Sequence, residues 1–383
     1  MYFYQYMSML IIIQLLFTPQ INAEPSVQST HQNLTQTPTQ TPTQIPTQTP
    51  NGATTTPKRT PTLKSSHSSS LSSASSSLTQ SLQVHTHALT PHPQFGTLPF
   101  DGQRAFQFLQ KYTQLGHRYY GAPQRDIIIQ KMTEELRNAG CQVQQQSLAA
   151  VEPVSQKKYT LHNIIGRLHP ERQKRIILGT HWDTRLWAEE DQDPQRRNQP
   201  ITGANDGTSG LAVIFELALQ LQQDPLQNLG IDFVLFDGEE FGRPQSNNYC
   251  QGSRYFVKHL QKFYPHKNPQ AVFIIDMVGR MNTHFAPERS SFTYARSLTQ
   301  LMWREADRMQ LPAFKAKTMG PWITDDHSPF QKQKIPALLL IDYNDKHWHT
   351  HQDTLPYCSA DSLTQVGRAL WASFKKLDHY AKR

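Results

Sequence analysis

The apolar residues of this chain fall into short unbroken runs separated by amphipathic stretches. Runs of strand length, rich in β-branched residues, occupy 160–165, 175–179, 231–236, 271–275 and 337–341. Apolar positions recur at helical spacing over 106–115, 124–139 (Ile127, Ile128, Met132 and Leu136), 207–223, 252–261, 297–309 and 362–377. A strand that is apolar throughout must be covered on both faces, whereas one with a wet face alternates. Such runs interleaved with helices predict an α/β fold, with a mainly parallel, twisted central sheet flanked by helices. Ligands of these sheets bind outside the carboxyl ends of the strands, so the residues that follow each run carry the interest.

The pattern is missing from the first quarter of the chain. Residues 24–94 are Thr, Ser, Pro, Gln and His with few apolar positions, including a series of T-Q-x-P tetrads and a serine tract. Such a segment cannot bury enough apolar surface to offset its ordering entropy, which predicts a disordered linker. Ahead of it, the apolar run 7–17 is short for a membrane span, and Ile21-Asn22-Ala23 offers a small residue at a cleavage point. Residues 1–23 therefore read as a signal peptide. An uncleaved anchor is the competing reading, since no Lys or Arg precedes the run. Either way the expected location is outside the cytoplasm, periplasmic or secreted, with membrane contact only through an uncleaved N-terminal segment. Residues 95–383 remain for a catalytic domain.

Charge and cysteine usage narrow the chemistry. The formal charge is +8, but Lys and Arg are scattered among acids without a dense stripe, so nucleic acid is not an expected partner. Cys141, Cys250 and Cys358 form no C-x-x-C pair, which argues against a thiolate metal site; one disulfide plus a free thiol is allowed.

The strand ends carry metal-type side chains. Run 175–179 leads into His181-Trp182-Asp183, run 231–236 into Asp237-Gly238-Glu239-Glu240, run 271–275 into Asp276, and run 337–341, after a short loop, into Trp348-His349-Thr350. Gly203-Ala204-Asn205-Asp206-Gly207 adds an acid at a helix start. Singly, each has an ordinary explanation: an N-cap for Asp206, a solvated loop for the paired glutamates, a satisfied core histidine for His181. At one edge of one sheet they form a set of imidazole and carboxylate donors without thiolate, which suits catalytic zinc. Adjacent glutamates suit a division of labour, one on the metal and one handling protons. The stretch KHWHTHQDT offers three histidines, His347, His349 and His351, and composition does not choose among them.

The ordered set HWDTR, GANDGTSG, DGEEFG, QGSRYF, IIDMVG, TDDHSPF and WHT resembles zinc-dependent glutaminyl cyclases, which share a fold with the co-catalytic zinc aminopeptidases. The resemblance covers roughly 112–377. It implies zinc ligands at Asp206, Glu240 and His349, a proton-transferring glutamate at Glu239, supporting acids at Asp276 and Asp325, and an aromatic wall at Trp348. His347 and His351 then become bystanders. Animal cyclases carry a further tryptophan soon after the paired glutamates, where this chain has 241–249; Tyr249 or Trp322 is expected to supply that wall. The aminopeptidases share the counterparts of His181, Asp206, Glu239, Glu240, Asp276 and His349, so His181 and Asp183 stand as second-metal or structural residues. The expected reaction converts an N-terminal glutamine of a peptide or protein to pyroglutamate on one zinc. The alternative is a two-zinc aminopeptidase.

Overall fold

The computed structural model describes residues 100–382 except 244, 245 and 316. The expected signal or anchor (1–23) and the linker (24–94) lie outside the described residues. Two helices, α1 (Gly102–Gln114) and α2 (Arg125–Asn138), precede the strands β1 (Gln142–Val151), β2 (Lys158–Leu168) and β3 (Arg175–His181). Then come α3 (Thr208–Gln223), β4 (Gly230–Phe236), α4 (Gln251–Lys258) and β5 (Ala271–Asp276). The chain closes with α5 (Arg289–Tyr294), α6 (Arg296–Arg308), α7 (Ser328–Lys332), β6 (Ala337–Ile341) and α8 (Ala360–Ala381).

The six strands form one sheet in the order β1-β2-β4-β3-β5-β6. The pairs β4/β3, β3/β5 and β5/β6 are parallel, as the apolar runs predict, while β1/β2 and β2/β4 are antiparallel. Strand β1 is a departure from the sequence reading. It lies at the sheet edge with mostly exposed or half-exposed side chains, so its glutamines Gln142, Gln144, Gln145 and Gln146 leave no apolar run to detect.

Strand β3 is buried at every residue, and its neighbours split by parity onto the two faces. Ile176, Leu178, Phe233, Leu235, Phe273, Ile275, Leu338 and Leu340 pack with α1, α2, α3, α6 and α8. Ile177, Val234, Phe236, Val272, Ile274, Leu339 and Ile341 face the other way, against Phe256 of α4 and Phe330 of α7. This period of two is the pleat expressed as packing. Chain order reverses at β3, which has β4 on one side and β5 on the other, so the carboxyl ends of these strands open onto one crevice.

Cys141, Cys250 and Cys358 are all buried and free, so the disulfide allowed by the sequence is not formed. Among the described residues no helix is long and apolar enough to cross a membrane.

Candidate metal centre

His181 is the last residue of β3, Asp276 the last of β5, and Glu239 and Glu240 follow β4 within one turn. Asp206 precedes α3 through Gly207, whose φ is +84°. A Cβ there would lie 2.7 Å from the Asp183 carbonyl and 2.9 Å from the His181 ring, so glycine is what lets Asp206 approach His181. His349 arrives on the loop after β6 with φ +52°, and Met277 and Cys250 take similar left-handed conformations at +50° and +58°. Each costs about 1–2 kcal/mol for a residue with a Cβ, held in place by the surrounding packing.

These segments bring together two overlapping groups of donors, all buried: Asp206, Glu240 and His349, and His181, Asp206 and Asp276. In the first, His349 Nε2 lies 3.1 Å from Glu240 Oε1 and 3.5 Å from Asp206 Oδ2. In the second, His181 Nε2 lies 3.1 Å from Asp206 Oδ1 and 3.0 Å from Asp276 Oδ1. Asp206 is therefore split between the groups. Its Oδ1 meets an imidazole, whereas its Oδ2 is buried without a hydrogen-bond partner.

An orphaned buried carboxylate oxygen is costly unless a cation sits against it. Burial and then Glu240 push the Asp206 pKa up to about 7. Burial opposes a charge on His349, but Glu240 and Glu189 outweigh it and lift its pKa to about 9. The pocket between Asp206, Glu240 and His349 is thus short of positive charge. Zinc with bonds of about 2.0–2.1 Å in tetrahedral geometry sets donor atoms about 3.3 Å apart, which the first group matches without rearrangement.

The ligand-type residues are held from behind. Glu189 accepts a hydrogen bond from His349 Nδ1 at 3.0 Å, which fixes the ring and leaves Nε2 facing Asp206 and Glu240. The fully buried Arg185 donates to Glu240 Oε2 at 3.0 Å, to both Glu189 oxygens, and to the Tyr249 hydroxyl at 3.1 Å. Burial raises the Glu240 pKa, but His349 and Arg185 overcome it and hold Glu240 well below the usual carboxylate range. Asp353 accepts the backbone N–H groups of Asn205 and Asp206 at 2.7 and 3.1 Å, fixing the turn that presents Asp206. None of Arg185, Glu189 and Asp353 was singled out from the sequence. The Arg–Glu spacing of four between Arg185 and Glu189 was visible, but their partners are remote in sequence.

Glu239 is turned away from the first donor group and stays partly exposed; its Oε1 accepts from the Cys250 thiol at 3.3 Å. Burial and the charge of Glu240 raise its pKa well above that of an ordinary glutamate, and Asp325 and Asp326 add to the shift. Burial likewise raises the pKa values of Asp276 and Asp325. Asp183 accepts the amides of Glu239 and Glu240 at 3.2 and 3.1 Å, and its carbonyl faces His181 Nδ1 at 3.2 Å. Its carboxylate thus shapes the DGEE turn and lies outside both donor groups. Glu288 accepts from the amides of Ser290, Ser291 and Ile323 at 2.8, 2.7 and 3.1 Å, and so anchors the loop that carries Asp325.

Trp348 stacks on the His349 ring with centroids 3.7 Å apart and remains half-buried. Tyr249 stands beside Glu240 through their shared Arg185 contact, whereas Trp322 is 43% exposed and packs edge-on against Tyr294. The other two histidines of KHWHTHQDT face elsewhere. The His347 amide donates to Asp345 and the ring rests on Tyr357, while His351 Nδ1 lies 2.8 Å from Asp191.

Residues 163–374 match the family model described as peptidase family M28. The chain belongs to this family. Among M28-type relatives, a glutaminyl-peptide cyclotransferase of Drosophila melanogaster is 26% identical over 279 residues, covering 66% of this chain and 75% of that protein. The crystal structure of Porphyromonas gingivalis glutaminyl cyclase superposes with a TM-score of 0.68 at 29% identity, covering 74% of this chain and 99% of that one. A Zn-dependent exopeptidase of Parabacteroides distasonis gives the same TM-score of 0.68 at 27% identity, covering 72% of this chain and 98% of that one. The M28 fold here is the mixed α/β sheet flanked by helices that the apolar pattern anticipated, and its solved relatives include both cyclases and peptidases.

Proposed function

We propose that the chain is a zinc-dependent glutaminyl-peptide cyclotransferase, which converts the N-terminal glutamine of peptides and proteins to pyroglutamate with release of ammonia. The observation that carries this reading over peptide hydrolysis is the divided Asp206 carboxylate. Oδ1 is occupied by His181 Nε2 at 3.1 Å and only Oδ2 lacks a protein partner, an arrangement suited to one metal ion. Asp206, Glu240 and His349 would hold that ion. When bound, zinc would polarise the γ-carboxamide oxygen of the substrate and stabilise the negative charge that develops there.

The remaining work falls to the protein. Ring closure is intramolecular: the α-amine attacks the γ-carboxamide carbon, a C–N bond forms, and the carboxamide C–N bond breaks. A pocket that folds the side chain back supplies proximity, and Trp348, stacked beside His349, offers a flat wall for it. Glu239 accepts a proton from the attacking amine and returns one to the departing nitrogen, which leaves as ammonia. Its raised pKa suits both roles, since a carboxylate that holds a proton near neutrality can also give it back. Asp276 and Asp325 act as its supporting acids, and Tyr249 and Trp322 are assigned to the substrate side.

A two-zinc aminopeptidase is the second reading, favoured by the His181, Asp206 and Asp276 group. Mass spectrometry of a Gln-initiated and a Leu-initiated peptide after incubation with the zinc-loaded protein separates the two. Loss of ammonia from the glutamine peptide alone is the expected result. Release of leucine from the other peptide would hand the site to the aminopeptidase reading. Export through the N-terminal segment is part of the proposal and is tested by fractionating cells that express the full chain.

A further inference from the structure

Helices α4 and α7 both start at the site and lie together on the same face of the sheet. The residue before α4 is Cys250, whose thiol meets Glu239. Two residues before α7 is Asp326, and Asp325 precedes that. Between the helices lies a groove of about 620 Å³. Asn247 and Thr324, which belong to the site loops, line it together with Arg254 and Lys258 of α4 and Pro329 and Lys332 of α7. Arg254, Lys258 and Lys332 are exposed, and among the described residues none of the three forms an ion pair with a carboxylate. Arg254 also donates to the Asn247 carbonyl at 2.6 Å, which holds it at the groove wall.

The local sequence explains why these cations have no partners. Between Glu240 and Asp276 the chain contains no acid but has Arg243, Arg254, Lys258, Lys262 and Lys267; between Asp326 and Asp342 it has Lys332 and Lys334 and again no acid. A mixed surface would scatter both signs. Here one sign is confined to the groove that leaves the site.

We propose that this groove binds acidic residues downstream of the N-terminal glutamine, so that the enzyme favours peptides bearing Asp or Glu a few positions along. This deepens the cyclotransferase reading and rests on it. Helix rise places Lys258 roughly 12 Å from Cys250 along α4, the length of about three to four residues of an extended peptide. A peptide whose first residue sits at Glu239 would therefore set its third to fifth side chains among Arg254, Lys258 and Lys332. A short groove with three cations also matches one acidic segment better than a polyanion, whose phosphates need a longer basic track.

The test compares three substrates of the full-length, zinc-loaded protein, Gln-Ala followed by Glu-Glu, Ala-Ala or Lys-Lys and a C-terminal amide. The acidic peptide should show kcat/KM about 5-fold above the lysine peptide, mainly through KM, and the gap should close in high salt. Lys258→Glu together with Lys332→Glu should invert the order. Equal kcat/KM for the three peptides, or an order unchanged by the double reversal, would sink the groove assignment while leaving the cyclase intact. If none of the three is cyclised, the cyclotransferase reading falls and the groove proposal falls with it. A preference for single-stranded oligonucleotides over the acidic peptide in competition would also overturn it, reassigning the groove to phosphates.

Discussion

Glu189 accepts the Nδ1 hydrogen of His349 at 3.0 Å while Arg185 grips both of its carboxylate oxygens. The same Arg185 reaches Glu240, so one guanidinium braces two of the three proposed zinc ligands. Glu189→Ala should therefore weaken zinc binding by roughly 10- to 100-fold, the range typical of lost outer partners of metal-bound histidines. Glu189→Gln, which can still accept the hydrogen bond, should lose less. Competition against a chelator reads both values, and equal zinc affinity in Glu189→Ala and the parent protein would remove Glu189 from this role.

Glu239→Gln keeps the size of the side chain and removes its ability to carry a proton. Turnover of the glutamine peptide should fall by about 10²- to 10⁴-fold with zinc content unchanged. Activity within a factor of two of the parent would assign proton transfer to another group.

The three histidines of KHWHTHQDT separate by their partners. His349→Ala removes a donor from the Asp206–Glu240 group and should leave the purified protein without stoichiometric zinc. His347→Ala and His351→Ala lose contacts to Tyr357 and Asp191 and should retain it. Elemental analysis of the three variants decides the matter.

Glu288 links acid stability to the site loop. Burial raises its pKa, but His327 and the serine donors more than compensate, bringing it from an ordinary 4.5 to about 2. A depressed native pKa gives stability that is complete above pH 4.5 and is lost as pH falls towards 2. The difference corresponds to about 3 kcal/mol. Denaturant unfolding of the parent and of Glu288→Gln should differ at pH 7 and converge as the pH drops to 2. A gap independent of pH would mean that the carboxylate's charge is not what matters.

Much of this was legible in the sequence because burial is legible. The runs ending in His181, Asp237 and Asp276 are apolar at every position, so they had to be central strands, and what followed them had to emerge at one edge. Edge strand β1 was not legible, because its glutamines are solvated and local pattern records burial more readily than pairing. Asp206, Glu240 and His349 come together as the motifs implied, but the groups that orient them escaped notice. Arg185, Glu189 and Asp353 act through contacts to residues far along the chain, such as Glu189 to His349 across 160 positions, and no periodicity encodes them. Tyr249 gains its place by touching Arg185, while Trp322 lies at the surface against Tyr294.

The donors beside β3, β4 and β5 and on the loop after β6 meet only when the whole sheet is in register. A metal ion bound there is thus a clasp across the complete domain, closing loops that local structure alone cannot close. Free zinc should then act as a thermostat for the fold, shifting its melting midpoint upward with the logarithm of metal concentration once the binding constant is exceeded. A partly synthesised chain, lacking β6, would have no place to hold it.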